Sequence, residues 1–131
     1  MKQDMELIKI ILQTLADNEN YFMKLDVLAK KVQEITKETS SFNNKFVGHF
    51  FLAKDTKLIE ELGVCFFVGQ QFTMPTPANG AKVRITSQGL DFLKALENDT
   101  ILNKVKNLSL GVAADVGKNL LTAFICKTLS I

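Results

Sequence analysis

Three phenylalanines four residues apart, Phe42, Phe46 and Phe50, followed by Ala53, restrict this chain more than any other feature. Spacings of three and four line one side of a helix, so this row predicts a helix that turns its aromatic side into a core. The row lies within Ser40 to Leu62, SSFNNKFVGHFFLAKDTKLIEEL, whose opening hydroxyl and amide residues suit a helix N-cap. An amphipathic segment precedes it and alternating, strand-like residues follow. That order predicts a helix-turn-helix with a β wing.

The remaining elements follow from periodicity and punctuation. Met5 to Leu15 carries Met5, Ile8, Leu12 and Leu15 on one face, with Asp4 as N-cap and Asp17-Asn18 as the stop. Residues 21–24 read as a short extended strand. Leu25 to Thr36 places Leu25, Leu28, Ala29, Val32 and Ile35 inward, and Lys30, Lys31 and Glu34 outward. The third helix is expected from Phe42 to about Thr56. Its outer arc holds Asn44, Lys45, Gly48 and His49, with Leu52 in the middle and Phe51 at the edge. This is more apolar surface than one core face needs, so a second element or a partner must cover part of it.

Leu58 to Val68 reads as a strand, and Gly69 to Gly80, with both prolines, as a long hairpin connection or wing tip. Across Ala81 to Thr86, Val83 and Ile85 face in while Lys82, Arg84 and Thr86 face out. A helix capped by Thr86 or Ser87 runs from Gln88 to Leu96. Another, capped by Asp99, runs from Thr100 to Asn107, and a last one from Leu110 to Leu129. The expected fold is α+β and mostly helical. A winged helix-turn-helix with a two- or three-stranded antiparallel wing occupies residues 1–97, and residues 98–131 form a helical extension packed on it or used for dimerisation.

With 131 residues, 47% apolar and ten Phe, the chain has material for one core. Its net charge of +2, from 16 Lys and Arg against 14 Asp and Glu, falls well short of the basic balance of an evident nucleic-acid binder. Residues 37–63 set Lys37, Lys45, Lys54 and Lys57 against Glu38, Asp55, Glu60 and Glu61, which is neutral; residues 98–131 carry two surplus lysines. One histidine and two distant cysteines, Cys65 and Cys126, do not match zinc-ligand spacing, and the cysteines read as reduced core thiols. No nucleophile elbow, P-loop or dinucleotide fingerprint occurs. No catalytic residue, metal, cofactor or small-molecule ligand is therefore expected. Asp115, Lys118 and Lys127 interrupt the apolar C-terminus too closely for a membrane span. No signal peptide is evident, so a cytoplasmic protein is expected.

MKQDMELIKIIL at the start, and ITSQGLDFLKALENDTILNKVK at residues 85–106, resemble the opening and closing signatures of domain of unknown function 2513, a family of small proteins encoded largely by phages and prophages. The second signature falls on Ile85, Thr86, Gly89, Phe92, Leu93, Asp99, Thr100, Asn103, Lys104, Val105 and Lys106, and VGHFFLAKDTKLIE, with His49, is similar to the family's third-helix segment. The family pattern has Arg near Gln3, Gly near Lys57 and Trp near Leu102, where this chain departs. The resemblance implies a winged-helix fold, phage origin and the cytoplasm of a bacterial host. It supplies no catalytic or binding residue.

Two functions follow as expectations. The first is a transcriptional regulator binding double-stranded DNA through Ser41, Asn43, Asn44, Lys45 and His49 at the third helix and Lys82 and Arg84 beside the wing, where amides read adenine and cations meet phosphate. The plain alternative is that these are caps, solvated surface and a satisfied helix histidine packed near Tyr21. The second function is a protein-interaction module on the same fold, such as a phage factor that engages a host defence protein. A homodimer through the last helix is expected, with Ala113, Val116, Gly117, Leu120, Leu121, Phe124 and Ile125 at the contact.

Overall fold

The computed structural model describes residues 3–38, 42–62, 67–68, 76–77 and 81–129. The expected turn Thr36–Ser41 lies partly outside them, as do Cys65 and most of the expected wing tip. Helix α1 spans Met5–Ala16, strand β1 Met23–Lys24, helix α2 Leu25–Thr36 and helix α3 Phe42–Asp55. Asp4 caps α1 by accepting from the Glu6 and Leu7 amides, which satisfies donors that have no partner within the helix. The α1 side chains Met5, Leu7, Ile8, Ile11, Leu12 and Leu15 are buried.

The aromatic row of α3 does what its spacing predicts. Phe42, Phe46 and Phe50 are fully or almost fully buried, and their rings stack with centroids 5.6 and 6.4 Å apart. Each such burial contributes about 1.5–3 kcal/mol. Helix α3 ends where the Leu58 amide reaches back to the Ala53 carbonyl and the Lys57 amide to that of Lys54, with Lys57 at φ 63. This is a Schellman ending, with Lys57 in the left-handed position that glycine usually fills.

Strand β2, Ile59–Leu62, pairs antiparallel with β5, Lys82–Ile85, in the register Ile59↔Ile85 to Leu62↔Lys82; β1 pairs with the other edge of β5 through Met23↔Val83 and Lys24↔Lys82. The sheet order is β1-β5-β2. Farther out, β3, Phe67–Val68, pairs with β4, Thr76–Pro77, at Phe67↔Pro77 and Val68↔Thr76. These pairs fall where a continuation of the β2–β5 register would place them. The single strand expected from Leu58 to Val68 is thus seen as two ladders, with residues 63–66 outside the described set.

Helix α4, Ser87–Glu97, follows β5; α5, Asp99–Val105, follows α4; α6, Leu110–Leu129, closes the chain. Thr86 caps α4 as expected, but Asn98, rather than Asp99, caps α5 by accepting from the Thr100 and Ile101 amides. The fold is α+β and mostly helical, with a three-stranded antiparallel sheet. A single cluster of buried side chains runs from Met5 through the Phe row and α4 to Leu110 and Ala113. The extension after residue 97 therefore shares the core.

One inward expectation fails on α2. Ile35 is 56% exposed. It borders a groove of about 430 Å³ that Ile10 and Thr14 of α1 and Lys31, Glu34 and Ile35 of α2 help to line.

Candidate functional site

The residues expected to touch nucleic acid begin at the first turns of α3. Asn44 is exposed and Asn43 half-buried; Ser41 lies outside the described residues. Lys45 reaches back across the start of α1, its Nζ 2.9 Å from Asp4 Oδ2 and 3.1 Å from Glu38 Oε1. The hydrogen bond to Asp4 holds the ammonium above its ordinary pKa against the opposing effect of burial. Burial raises the Asp4 carboxyl, but the Lys45 hydrogen bond and charge and the two capped amides outweigh it and leave its pKa lowered. Two carboxylates thus face one ammonium here.

His49 is the residue the structure most clearly removes from a binding surface. Its side chain is fully buried. Nε2 lies 2.8 Å from the Asp4 backbone nitrogen and Nδ1 2.7 Å from the Lys45 carbonyl. The amide can only donate and the carbonyl can only accept, so the ring is neutral with its proton on Nδ1. Burial pushes its pKa below the usual histidine range despite the hydrogen bond to the carbonyl. The expected phosphate or base contact is thus corrected, because a ring with both nitrogens satisfied inside the fold presents nothing to a ligand. Its partner is the start of α1, not the Tyr21 region.

The second group of expected contacts sits on β5. Lys82 is exposed. Arg84 is half-buried, forms an ion pair with Glu60 directly across the β2–β5 ladder, and lies with its guanidinium carbon 5.5 Å from the centre of the Tyr21 ring. Lys54, the other α3 cation, pairs with Glu61. Lys45, Lys54 and Arg84 are therefore each matched to a carboxylate of this chain. Strand β4 lies against α3 and α2, and Leu52, in the middle of the expected outer arc, is half-buried against the core.

Helix α6 turns its small residues inward. Ala113 is fully buried and Gly117 packs on α4, where an added Cβ would sit 3.4 Å from Ala95 Cβ and from Phe92 Cε1. Val116, Leu120 and Leu121 are partly buried against the same core. Ala113 and Gly117 are therefore corrected from dimer contacts to contacts within the chain: close helix approach occurs, but between α6 and α4. Ile125 is 47% exposed, as is Val112 at 51%; the Phe124 side chain lies outside the described residues.

Among the described residues no group of three or more His, Cys, Asp or Glu is placed to hold a metal ion, and no helix is long and apolar enough to cross a membrane. No family model, curated protein or solved structure matches the chain.

Proposed function

We propose that the chain is a non-enzymatic winged helix-turn-helix protein that works by binding another protein. The succession α1-β1-α2-α3-β2-β5, the sheet order β1-β5-β2 and a tip hairpin continuing the β2–β5 register support the winged-helix reading. Fold alone assigns no ligand. The observation that carries the choice of partner is the pairing of Lys45 with Asp4 and Glu38 and of Arg84 with Glu60. A phosphate approaching Lys45 meets two carboxylates beside one ammonium, and a DNA backbone is bound through cations that release its counterions. Val27 and Ile35, exposed on α2, are side chains that a protein partner buries and a phosphate backbone does not. The resemblance of residues 85–106 to a phage family makes a host protein the natural partner.

The second reading, a transcriptional regulator on double-stranded DNA, is favoured by the exposed Asn44 at the start of α3. Titration of the chain against mixed-sequence duplex across a salt series separates the two. The protein-binding reading expects no complex at about 50 mM salt with tens of micromolar protein, a regime in which DNA binders already associate without sequence preference. A complex whose affinity falls steeply with salt establishes the regulator instead.

A further inference from the structure

We propose that His49 is an acid-sensitive latch that fastens the entry of α1 to α3. The geometry that carries this is the pair of hydrogen bonds made by a ring with no exposed surface: the Asp4 amide donates to Nε2 at 2.8 Å, and Nδ1–H donates to the Lys45 carbonyl at 2.7 Å. Only the neutral Nδ1–H tautomer makes both. A second proton has to go on Nε2, where the Asp4 N–H already points, so two donors then face each other and the link between the segments is lost.

Asp4 concentrates the consequence. Its amide is held by His49, its Oδ1 accepts from the Glu6 and Leu7 amides, and its Oδ2 binds Lys45. Its neighbour Gln3 donates to the Leu108 carbonyl at 2.6 Å. The entry of α1 is thus tied to α3 and to the turn before α6, beside a cavity of about 420 Å³ lined in part by Lys45 and Lys106. The charged groups around the ring oppose one another: Asp4 from the entry of α1 and Glu38 from the turn after α2 attract an imidazolium, while Lys45 on α3 repels it. Burial tips the balance toward the neutral ring. An imidazolium that captured the Asp4 carboxylate would take it from the Glu6 and Leu7 amides, so the first turn of α1 changes on that route as well.

His49 is the one histidine of the chain, so its imidazole nitrogen signals are read without assignment by elimination. Long-range nitrogen NMR of the intact chain from about pH 8 to about pH 4.5, with amide hydrogen exchange at Asp4 to Ile8, tests the latch. The expected result is the Nδ1–H tautomer at neutral pH and a midpoint below the usual 6.5. Protection in the first turn of α1 should fall by up to about tenfold per pH unit from 6.5 down to the midpoint of the folded ring, and should stay below that of α2 and α4. An Nε2–H tautomer, a midpoint at or above 6.5, or protection that stays level between 6.5 and the midpoint overturns the proposal. His49→Gln places a carbonyl acceptor near the Nε2 position without a titrating group and is expected to remove the pH dependence. If first-turn protection in that variant still falls over the same range, another group holds the latch. The wild-type titration decides the matter even if the variant does not fold.

Discussion

A Cβ added to Gly89 would lie 2.1 Å from the Leu58 carbonyl oxygen, so the first turn of α4 rests with a bare Cα against the turn leaving α3. The Thr86 hydroxyl completes the junction: it lies 2.7 Å from the Lys57 carbonyl and 3.0 Å from that of Leu58, and accepts from the Gly89 amide. The Thr86-x-x-Gly89 spacing therefore has a structural cause. In an open helix position Gly89→Ala would stabilise by up to about 1 kcal/mol. Against the Leu58 backbone it is expected to destabilise by about 3 kcal/mol, as overpacking does. Urea denaturation reads the sign, and a stabilised variant would contradict the packing.

Lys57 holds a left-handed conformation, φ 63, at the position of the Schellman ending where glycine pays no steric penalty. The turn keeps this geometry with lysine at its left-handed position. Lys57→Gly is expected to raise stability by about 0.5–1 kcal/mol, the relief of strain exceeding the added freedom of the unfolded chain. A lower denaturation midpoint in this variant would refute that.

Stability should decline in two stages on acidification. Burial lowers the folded pKa of His49 below 6.5, so between those values the unfolded chain binds more protons than the folded one. That contribution is complete above 6.5 and shrinks as pH falls below it. Asp4 has a folded pKa below its ordinary 3.8; the stability it contributes is present above 3.8 and disappears as pH falls through the folded value. Urea midpoints measured between about pH 7.5 and about pH 5.5 should therefore drop, and His49→Gln should flatten that segment of the profile. A wild-type midpoint that is level across it contradicts the first stage.

Gly117 faces Ala95 and Phe92 of its own chain. Gly117→Leu is expected to push α6 off α4 and cost about 1–3 kcal/mol in unfolding free energy, independent of protein concentration. If light scattering instead shows a dimer that this substitution dissociates while unfolding of the separated chain is unaltered, the inward packing of α6 is wrong.

Much of this architecture is legible in the residues because local forces set it. The helices α1 to α4 begin and end within a residue or so of their expected limits, since each combines an apolar stripe with turn or cap chemistry at one end at least, such as Asp4 and Thr86. On β5 the expected alternation holds at Lys82, exposed, and Val83, buried, whereas Arg84 and Ile85 are both half-buried. What the sequence conceals are the long-range pairings. Lys45 meets Asp4 from 41 positions away, and His49 meets the Asp4 amide from 45 positions away, distances over which no periodicity operates. Charge counting showed residues 37–63 to be neutral without showing that Lys45 lies between Asp4 and Glu38. The apolar width of α6 is equally ambiguous, because Ala113 and Gly117 suit close helix approach whether the second helix is α4 or belongs to another molecule.

The central claim is that Lys45 and Arg84 are each engaged by this chain's own carboxylates rather than held ready for a DNA phosphate. Fluorescence anisotropy of a labelled mixed-sequence duplex at about 50 mM salt, with wild type and with Glu38→Gln/Glu60→Gln, tests it most directly. Wild type is expected to leave the anisotropy unchanged at tens of micromolar, while the double variant, relieved of one carboxylate beside each cation, gains a weak association that salt removes. Binding by wild type that Lys45→Ala and Arg84→Ala each weaken would contradict the claim.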